Sequence, residues 1–92
     1  MTLEDARNIL HVDPDDDRDA LINSLLAAVP GYIEISTGMS EADQADEPMV
    51  ETVTGFILTL WYYSDHSDDV KLQRTIDNLL MCIKLKARTS TQ

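Results

Sequence analysis

The chain has 92 residues, 43% of them hydrophobic, which indicates one small folded domain rather than a disordered segment. Its formal net charge of −10 argues against a nucleic-acid-binding domain, because contacts to phosphates need a basic surface. Residues 1–69 carry sixteen acids and two bases (−14), whereas residues 70–92 carry five bases and one acid (+4). A chain polarised in this way can meet a second copy head to tail, although a solvated acidic surface is the simpler interpretation.

The first predicted helix starts at a capping-box-like pair, Thr2 and Asp5, and ends before Pro14. The second helix opens on three acids that the helix dipole favours: Asp15, Asp16 and Asp17. It carries one apolar stripe, formed by Leu21, Ile22, Leu25, Leu26, Val29, Tyr32 and Ile33. The stripe keeps its phase across Pro30, so we expect one kinked helix rather than two, with Gly38 left-handed just past its end.

Residues 39–47 read as a mobile acidic loop in which Ser40 caps at most a single turn. The longest apolar run, residues 56–63, then belongs to a helix of about fifteen residues that Pro48 opens. This third helix is apolar over most of its circumference, which is typical of a central helix, and Gly55 marks close packing against a neighbour.

Residues 64–69 read as a loop before a final helix, whose cations lie mostly near its C-terminal end, and residues 89–92 as a flexible tail. The prediction is therefore an all-α single domain over residues 1–88, a small bundle of about four helices. Its predicted core consists of Leu25, Val29, Ile33, Val53, Ile57, Leu60, Trp61, Ile76, Leu79, Leu80 and Ile83.

The single cysteine, Cys82, excludes an internal disulfide and a thiolate metal cluster. We expect it to be a small apolar residue on the buried side of the last helix. Residues 1–10 lack the apolar segment of a signal peptide, and no stretch approaches the roughly 18–20 apolar residues of a membrane span. We therefore expect a protein of a reducing cytoplasm without membrane contact.

Residues 13–17 imitate the opening of an EF-hand calcium loop, with acids at its first, third and fifth positions. The sixth position, normally Gly, is Arg18, and the twelfth, normally Glu, is Ser24. The pattern fails at the two positions that define it, so we interpret these acids as helix-capping residues rather than as a metal site.

No pattern of catalytic or cofactor-binding residues emerges from the sequence. His11 and His66 lack the spacing of a metal site, and the expected burial of Cys82 argues against a Cys–His catalytic pair. The three glycines stand apart, so there is no phosphate-binding loop, and residues 61–63 lack the basic groove that base stacking needs. We therefore expect no enzyme and no cofactor, and we interpret Tyr62, which lies off the main stripe, as a candidate interface aromatic.

Four features occur in order: a short helix, the acidic turn DPDDD, a long helix, and a proline-opened helix that ends in LWYY. Together they resemble the small phage head–tail connector family, also described as phage DNA-packaging or head-completion adaptor proteins. The two helix endings that match are Tyr32, Ile33, Glu34, Thr37 and Gly38, and then Trp61 and Tyr62. The resemblance covers residues 2–63; Pro30 is unusual for the long helix, and VKLQRTIDNLL replaces a segment expected to contain proline or glycine.

The resemblance implies a non-enzymatic structural protein that forms a ring, commonly of about a dozen copies, under the portal of a filled phage head. Such a ring extends the DNA channel and carries the tail or a stopper protein, and an acidic lining would let DNA pass without specific binding. The resemblance also implies a location in the host bacterial cytoplasm during assembly and at the head–tail junction of the virion afterwards.

We expect contacts between subunits or with the portal to use a basic set, Arg74, Lys84, Lys86 and Arg88, and an acidic set, Asp15, Asp16, Asp17 and Asp19. Reversing the charge of Lys84 and Lys86 together should impair assembly and leave helicity unchanged. The alternative function is a small acidic regulatory protein that imitates DNA charge and binds a nucleic-acid-binding partner. A third, a small hydrolase or metal enzyme, is disfavoured by the missing motifs.

Overall fold

The computed structural model describes residues 1–63 and 69–90, with side chains described for residues 1–63 and 70–88. In chain order the helices are α1 (Leu3–Leu10), α2 (Asp16–Thr37), α3 (Glu41–Gln44), α4 (Pro48–Tyr62) and α5 (Asp69–Ser90). The described residues contain no β-strand, so the all-α prediction is confirmed, and the short turn α3 adds a fifth helix to the expected four. Residues 64–68 of the predicted loop at 64–69, with His66, lie outside the described residues, and Asp69 already begins α5. The predicted flexible tail at residues 89–92 is wrong for residues 89–90, because α5 continues through Ser90, and residues 91–92 lie outside the described residues.

Two reciprocal hydrogen bonds between Thr2 and Asp5 cap the N-terminal end of α1. The Asp5 backbone N–H donates to Thr2 Oγ1 over 3.1 Å, and the Thr2 backbone N–H donates to Asp5 Oδ2 over 3.2 Å, as the sequence predicted. The helix ends at His11, whose φ of 58° is left-handed. The Tyr63 hydroxyl donates to the Leu10 carbonyl oxygen over 2.6 Å, which joins the end of α1 to the end of α4.

Asp15 caps α2, because its Oδ1 accepts from the backbone N–H groups of Asp17 and Arg18. The helix continues through Pro30 to Thr37 and ends at Gly38, whose φ of 82° is the left-handed conformation expected there. The two helix-end predictions for α2 are therefore confirmed, and both follow from local backbone chemistry.

Residues 39–47 contain more structure than a polar loop. Ser40 caps the single turn α3, as expected, but Met39 and Gln44 are also buried. Gln44 Nε2 donates to the carbonyl oxygens of Pro30 and Met39, both over 3.0 Å. A buried amide thus joins α3 to the C-terminal half of α2, and the spacing of apolar residues gave no sign of it.

The core lies where α2, α4 and α5 meet, with α1 packed against α2 and α4. Of the eleven predicted core residues, Leu25, Leu60, Trp61 and Leu79 are half-buried and pack against the core, and the other seven are buried. Trp61 lies in the last turn of α4 and makes an edge-to-face contact with Tyr32, with ring centroids 5.5 Å apart. Leu58 is fully buried, although it was not among the predicted core residues.

The prediction that Cys82 lies on the buried side of α5 is wrong, because the side chain is exposed. The buried side of α5 follows Ile76, Leu80, Ile83 and Ala87. Consecutive residues of a helix are about 100° apart, so the neighbour of Ile83 is turned away from that side. Cys82 therefore adds nothing to the core.

Candidate assembly surfaces

The four predicted basic residues, Arg74, Lys84, Lys86 and Arg88, lie on α5 and are exposed. Their spacing puts Arg74 and Arg88 on the side of α5 that faces away from the core and Lys84 on the flank between that side and the buried residues. Lys86 is turned by about 160–200° from Lys84 and Arg88, because each residue adds about 100° around the helix. The basic set is therefore divided between two sides of one helix.

Lys86 already has a partner within the chain. Its Nζ lies 3.0 Å from Glu47 Oε1, and that same oxygen accepts from the Met49 backbone N–H at the start of α4. The hydrogen bond from Lys86, together with that from Met49, lowers the pKa of Glu47. A double reversal of Lys84 and Lys86 would disturb the cap of α4, so Lys84 alone is the better probe of an external contact.

The predicted acidic set is also divided. Asp16 and Asp17 are exposed in the first turn of α2, whereas the Asp15 carboxylate is used as the helix cap. Asp19 accepts from Arg7 through both carboxylate oxygens, with Arg7 Nε 2.9 Å from Oδ1. The hydrogen bond from Arg7 lowers the pKa of Asp19 and raises the pKa of Arg7. This bidentate pair connects α1 to α2, so Asp19 has a structural role.

The Arg7–Asp19 pair predicts an acid-dependent loss of stability. Because the folded pKa of Asp19 lies below its ordinary value of 3.8, its contribution is present above that pH and is lost as the pH falls through the folded pKa. In urea unfolding, wild type should therefore be more stable than Asp19→Asn by a margin that is constant from about pH 7 to 5 and shrinks below about pH 4.

The control for this prediction is Asp16→Asn, which removes an exposed carboxylate that forms no ion pair among the described residues. We expect it to show a small difference from wild type at every pH. A margin for Asp19→Asn that stayed the same from neutral pH to about pH 2.5 would contradict the assignment.

Tyr62 is half-buried and packs against the core. Its ring meets that of Tyr63 edge to face, with centroids 4.8 Å apart and an interplanar angle of 79°. Part of the Tyr62 ring is therefore covered by its own chain. The other part is open at the C-terminal end of α4, where the sequence predicted an interface aromatic.

Several large apolar side chains are exposed, and one of them, Leu21, was predicted to lie in the apolar stripe of the second helix, so that prediction is wrong for this residue. On α2 they are Leu21 (51% exposed) and Ile35 (88%), and on α5 they are Val70 (73%), Met81 (56%) and Leu85 (54%). The molecule measures 18 Å along its shortest axis, about the thickness of two helix layers packed ~10 Å apart. Helices in such a thin bundle are covered mainly on one side, so apolar residues on the other side stay in contact with solvent.

A groove of about 750 Å³ runs between α1 and α4, and we call it the α1–α4 groove. The residues that line it include Asp5, Ile9, Glu51, Thr52, Gly55 and Phe56. A Cβ atom placed on Gly55 would lie 3.4 Å from Ile9 Cδ1, an ordinary van der Waals contact, so Ile9 of α1 packs over this glycine without requiring it. The groove combines an apolar wall with the carboxylates of Asp5 and Glu51 and has no Lys or Arg among its lining residues, although Met1 also lines it and the N-terminal ammonium acts on Asp5.

Among the described residues, no group of three or more His, Cys, Asp and Glu side chains could hold a metal ion. The acids of the EF-hand-like stretch instead surround the start of α2, where Asp15 is the cap. His11 is exposed and closes α1.

Contrary to the expectation from the sequence, one helix of the described chain, α2, is long and apolar enough to cross a membrane by length and composition. This is weak evidence, because the core helix of a folded domain passes the same test. Ile22, Val29 and Ile33 of α2 are buried in the core, and its first turn carries three acids and Arg18.

Comparisons of the chain with protein-family models, with curated proteins and with solved structures found no match. A functional assignment therefore rests on the residues and surfaces of the chain itself.

Proposed function

We propose that the chain is a structural subunit of a phage head–tail connector. In this role it assembles into a ring of about a dozen copies under the portal, extends the DNA channel and offers a docking platform to a tail or stopper protein. The observation that carries the proposal is the ordered set of helix endings, Tyr-Ile-Glu…Thr-Gly and then Trp-Tyr, along a chain whose charge is divided between an acidic body and a basic last helix.

The places of the matching residues support the proposal. Ile33 is buried, and Thr37 Oγ1 donates to its carbonyl oxygen over 2.7 Å and accepts from the Met39 backbone N–H over 3.1 Å. Gly38 then takes the left-handed conformation that ends α2. Residues of the first matching ending thus form the C-terminal end of α2 together, as expected if the chain shares this helix ending with the connector family.

We further propose that α2 bends at Pro30 and that α4 is the central helix of the bundle. Proline has no N–H to give to the carbonyl four residues earlier, and its ring presses on the preceding turn. Gln44 donates to the Pro30 carbonyl oxygen, which offers that part of the helix an additional partner. In favour of a central α4, its side chains pack against α1, α2 and α5, with Val53, Ile57 and Leu58 fully buried.

The acidic regulatory alternative is favoured by one observation, the exposed carboxylates of Asp16 and Asp17 at the start of α2. A DNA-imitating protein needs such charges spaced along a surface. In this chain two neighbouring acids, Asp15 and Asp19, are used as a helix cap and in an ion pair. The connector proposal is therefore the better supported of the two.

The proposal is tested by mixing the purified chain with rings of the portal protein encoded in the same phage genome. Light scattering after size exclusion should show a complex whose added mass corresponds to one further ring. Binding to an unrelated basic DNA-binding protein, with no binding to the portal, would support the alternative and overturn the connector proposal. A portal ring from an unrelated phage is the matched control.

A further inference from the structure

A second exposed surface combines apolar side chains with positive charge. It lies on the C-terminal half of α5 and consists of Met81, Lys84, Leu85 and Arg88, which we call the α5 outer face. Their helical spacing places the four side chains within an arc of about 100° on the exposed side of α5. All four are exposed, Met81 by 56% and Leu85 by 54%.

The two surfaces carry opposite charges beside apolar atoms. Asp5 and Glu51 supply carboxylates at the groove, whose apolar residues include Ile9 and Phe56. Lys84 supplies a cation on the α5 outer face, and the exposed Asp77 lies on the same side of α5, one turn before Met81. An exposed apolar patch bordered by charge of one sign fits a partner with apolar side chains and charge of the opposite sign.

We propose that the α1–α4 groove receives the α5 outer face of a second copy of this chain. Apolar contact would place Met81 and Leu85 in the groove, with Lys84 facing Glu51. The two surfaces cannot meet within one copy, because α5 turns the opposite side toward its own core. Charge complementarity therefore selects a second copy as the occupant.

The contact joins two different patches, so it is heterologous and repeats from copy to copy until it closes a ring or extends a filament. The inference rests on the proposed function in one respect, since it names the surfaces through which neighbouring subunits of the ring would join. It remains separable from that function, because self-association and portal binding are measured independently.

The test is a charge exchange in the full chain, followed by sedimentation velocity at low and moderate salt. Lys84→Glu alone and Glu51→Lys alone should each weaken self-association by about tenfold or more, because like charges then face each other. The double variant Lys84→Glu/Glu51→Lys should recover the wild-type dissociation constant to within about threefold. Association should weaken as salt rises.

Lys71→Glu is the matched control, because it makes the same charge change at an exposed site outside the α5 outer face. It should change the dissociation constant by less than about twofold. Circular dichroism of each variant checks that helicity is unchanged. A wild-type chain that stays monomeric at every concentration, a double variant that does not recover, or a control as weak as Lys84→Glu would each overturn the inference.

The outcomes also separate this inference from the proposed function. If the chain binds the portal ring and Lys84→Glu self-associates like wild type, the docking inference is wrong and the connector proposal stands. If the charge exchange behaves as expected and the portal is not bound, the docking inference stands and the connector proposal is wrong.

Discussion

Replacing Ile33 with alanine is expected to lower the free energy of unfolding by about 3 kcal/mol, since the substitution removes buried methyl groups and leaves a cavity. Ile33 is 0% exposed on the core side of α2. Small domains have a total stability of roughly 5–15 kcal/mol, so this single change should remove a large share of it. Urea unfolding followed by circular dichroism measures the effect as a lower midpoint at unchanged slope.

Ile35→Ala is the matched control for this experiment. It makes the same substitution two residues further along α2, at a side chain that is 88% exposed. Its effect should lie within about 0.5 kcal/mol of wild type. Equal losses for the two variants would contradict the packing of α2, because they would mean that both sides of the helix are covered equally.

Gln44→Ala should be the second most damaging substitution, with a loss of about 2 kcal/mol. The variant removes the amide that donates to the carbonyl oxygens of Pro30 and Met39, and Gln44 is only 7% exposed. A carbonyl group that is buried without a hydrogen-bond partner destabilises the folded state, because it has lost its hydrogen bonds to water. The same urea experiment measures the loss.

Gln73→Ala provides the comparison, because Gln73 donates to Asp77 one helical turn away in an exposed bond. A surface pair of this kind contributes roughly 0.2–0.5 kcal/mol, so the control should remain close to wild type. If Gln44→Ala were as mild as Gln73→Ala, the buried amide would not be what joins α3 to α2.

Local backbone chemistry explains which parts of the fold could be predicted from the sequence. Thr2 with Asp5, Asp15, Pro48 and Gly38 each act through atoms within a few residues, so their positions at helix ends are readable without tertiary structure. The all-α class follows from apolar residues at three- and four-residue steps.

Contacts between distant residues could not be predicted in the same way. Lys86 looked like an external contact, yet it pairs with Glu47, which is 39 residues away. Gln44 looked like a loop residue, yet its amide reaches α2. Which residues pair across the bundle depends on how the helices are rotated and shifted against each other, and periodicity within one helix does not contain that information.

The sequence predicted which side of each helix is apolar better than it predicted whether a given residue is buried. Trp61 faces the core but lies in the last turn of α4, and it is half-buried. Cys82 lies one position from the buried Ile83 and is exposed. One residue along a helix changes direction by about 100°, so an error of a single position is enough to reverse a burial prediction.

The surfaces of the chain connect this structure to the proposed assembly role. A thin bundle leaves apolar side chains on α2 and α5 in contact with solvent. The α1–α4 groove and the α5 outer face are two separate surfaces of the chain. A protein built in this way can gain stability from association, because burial of exposed apolar area on assembly adds to the burial that folding provides.

Deleting the gene for this chain from the genome that encodes it tests the connector proposal most directly, with phage particles counted by electron microscopy. We expect DNA-filled heads without tails to accumulate, and tailed particles to return when the wild-type chain is supplied from a plasmid. Normal numbers of tailed, infectious particles from the deletion strain would contradict the proposal.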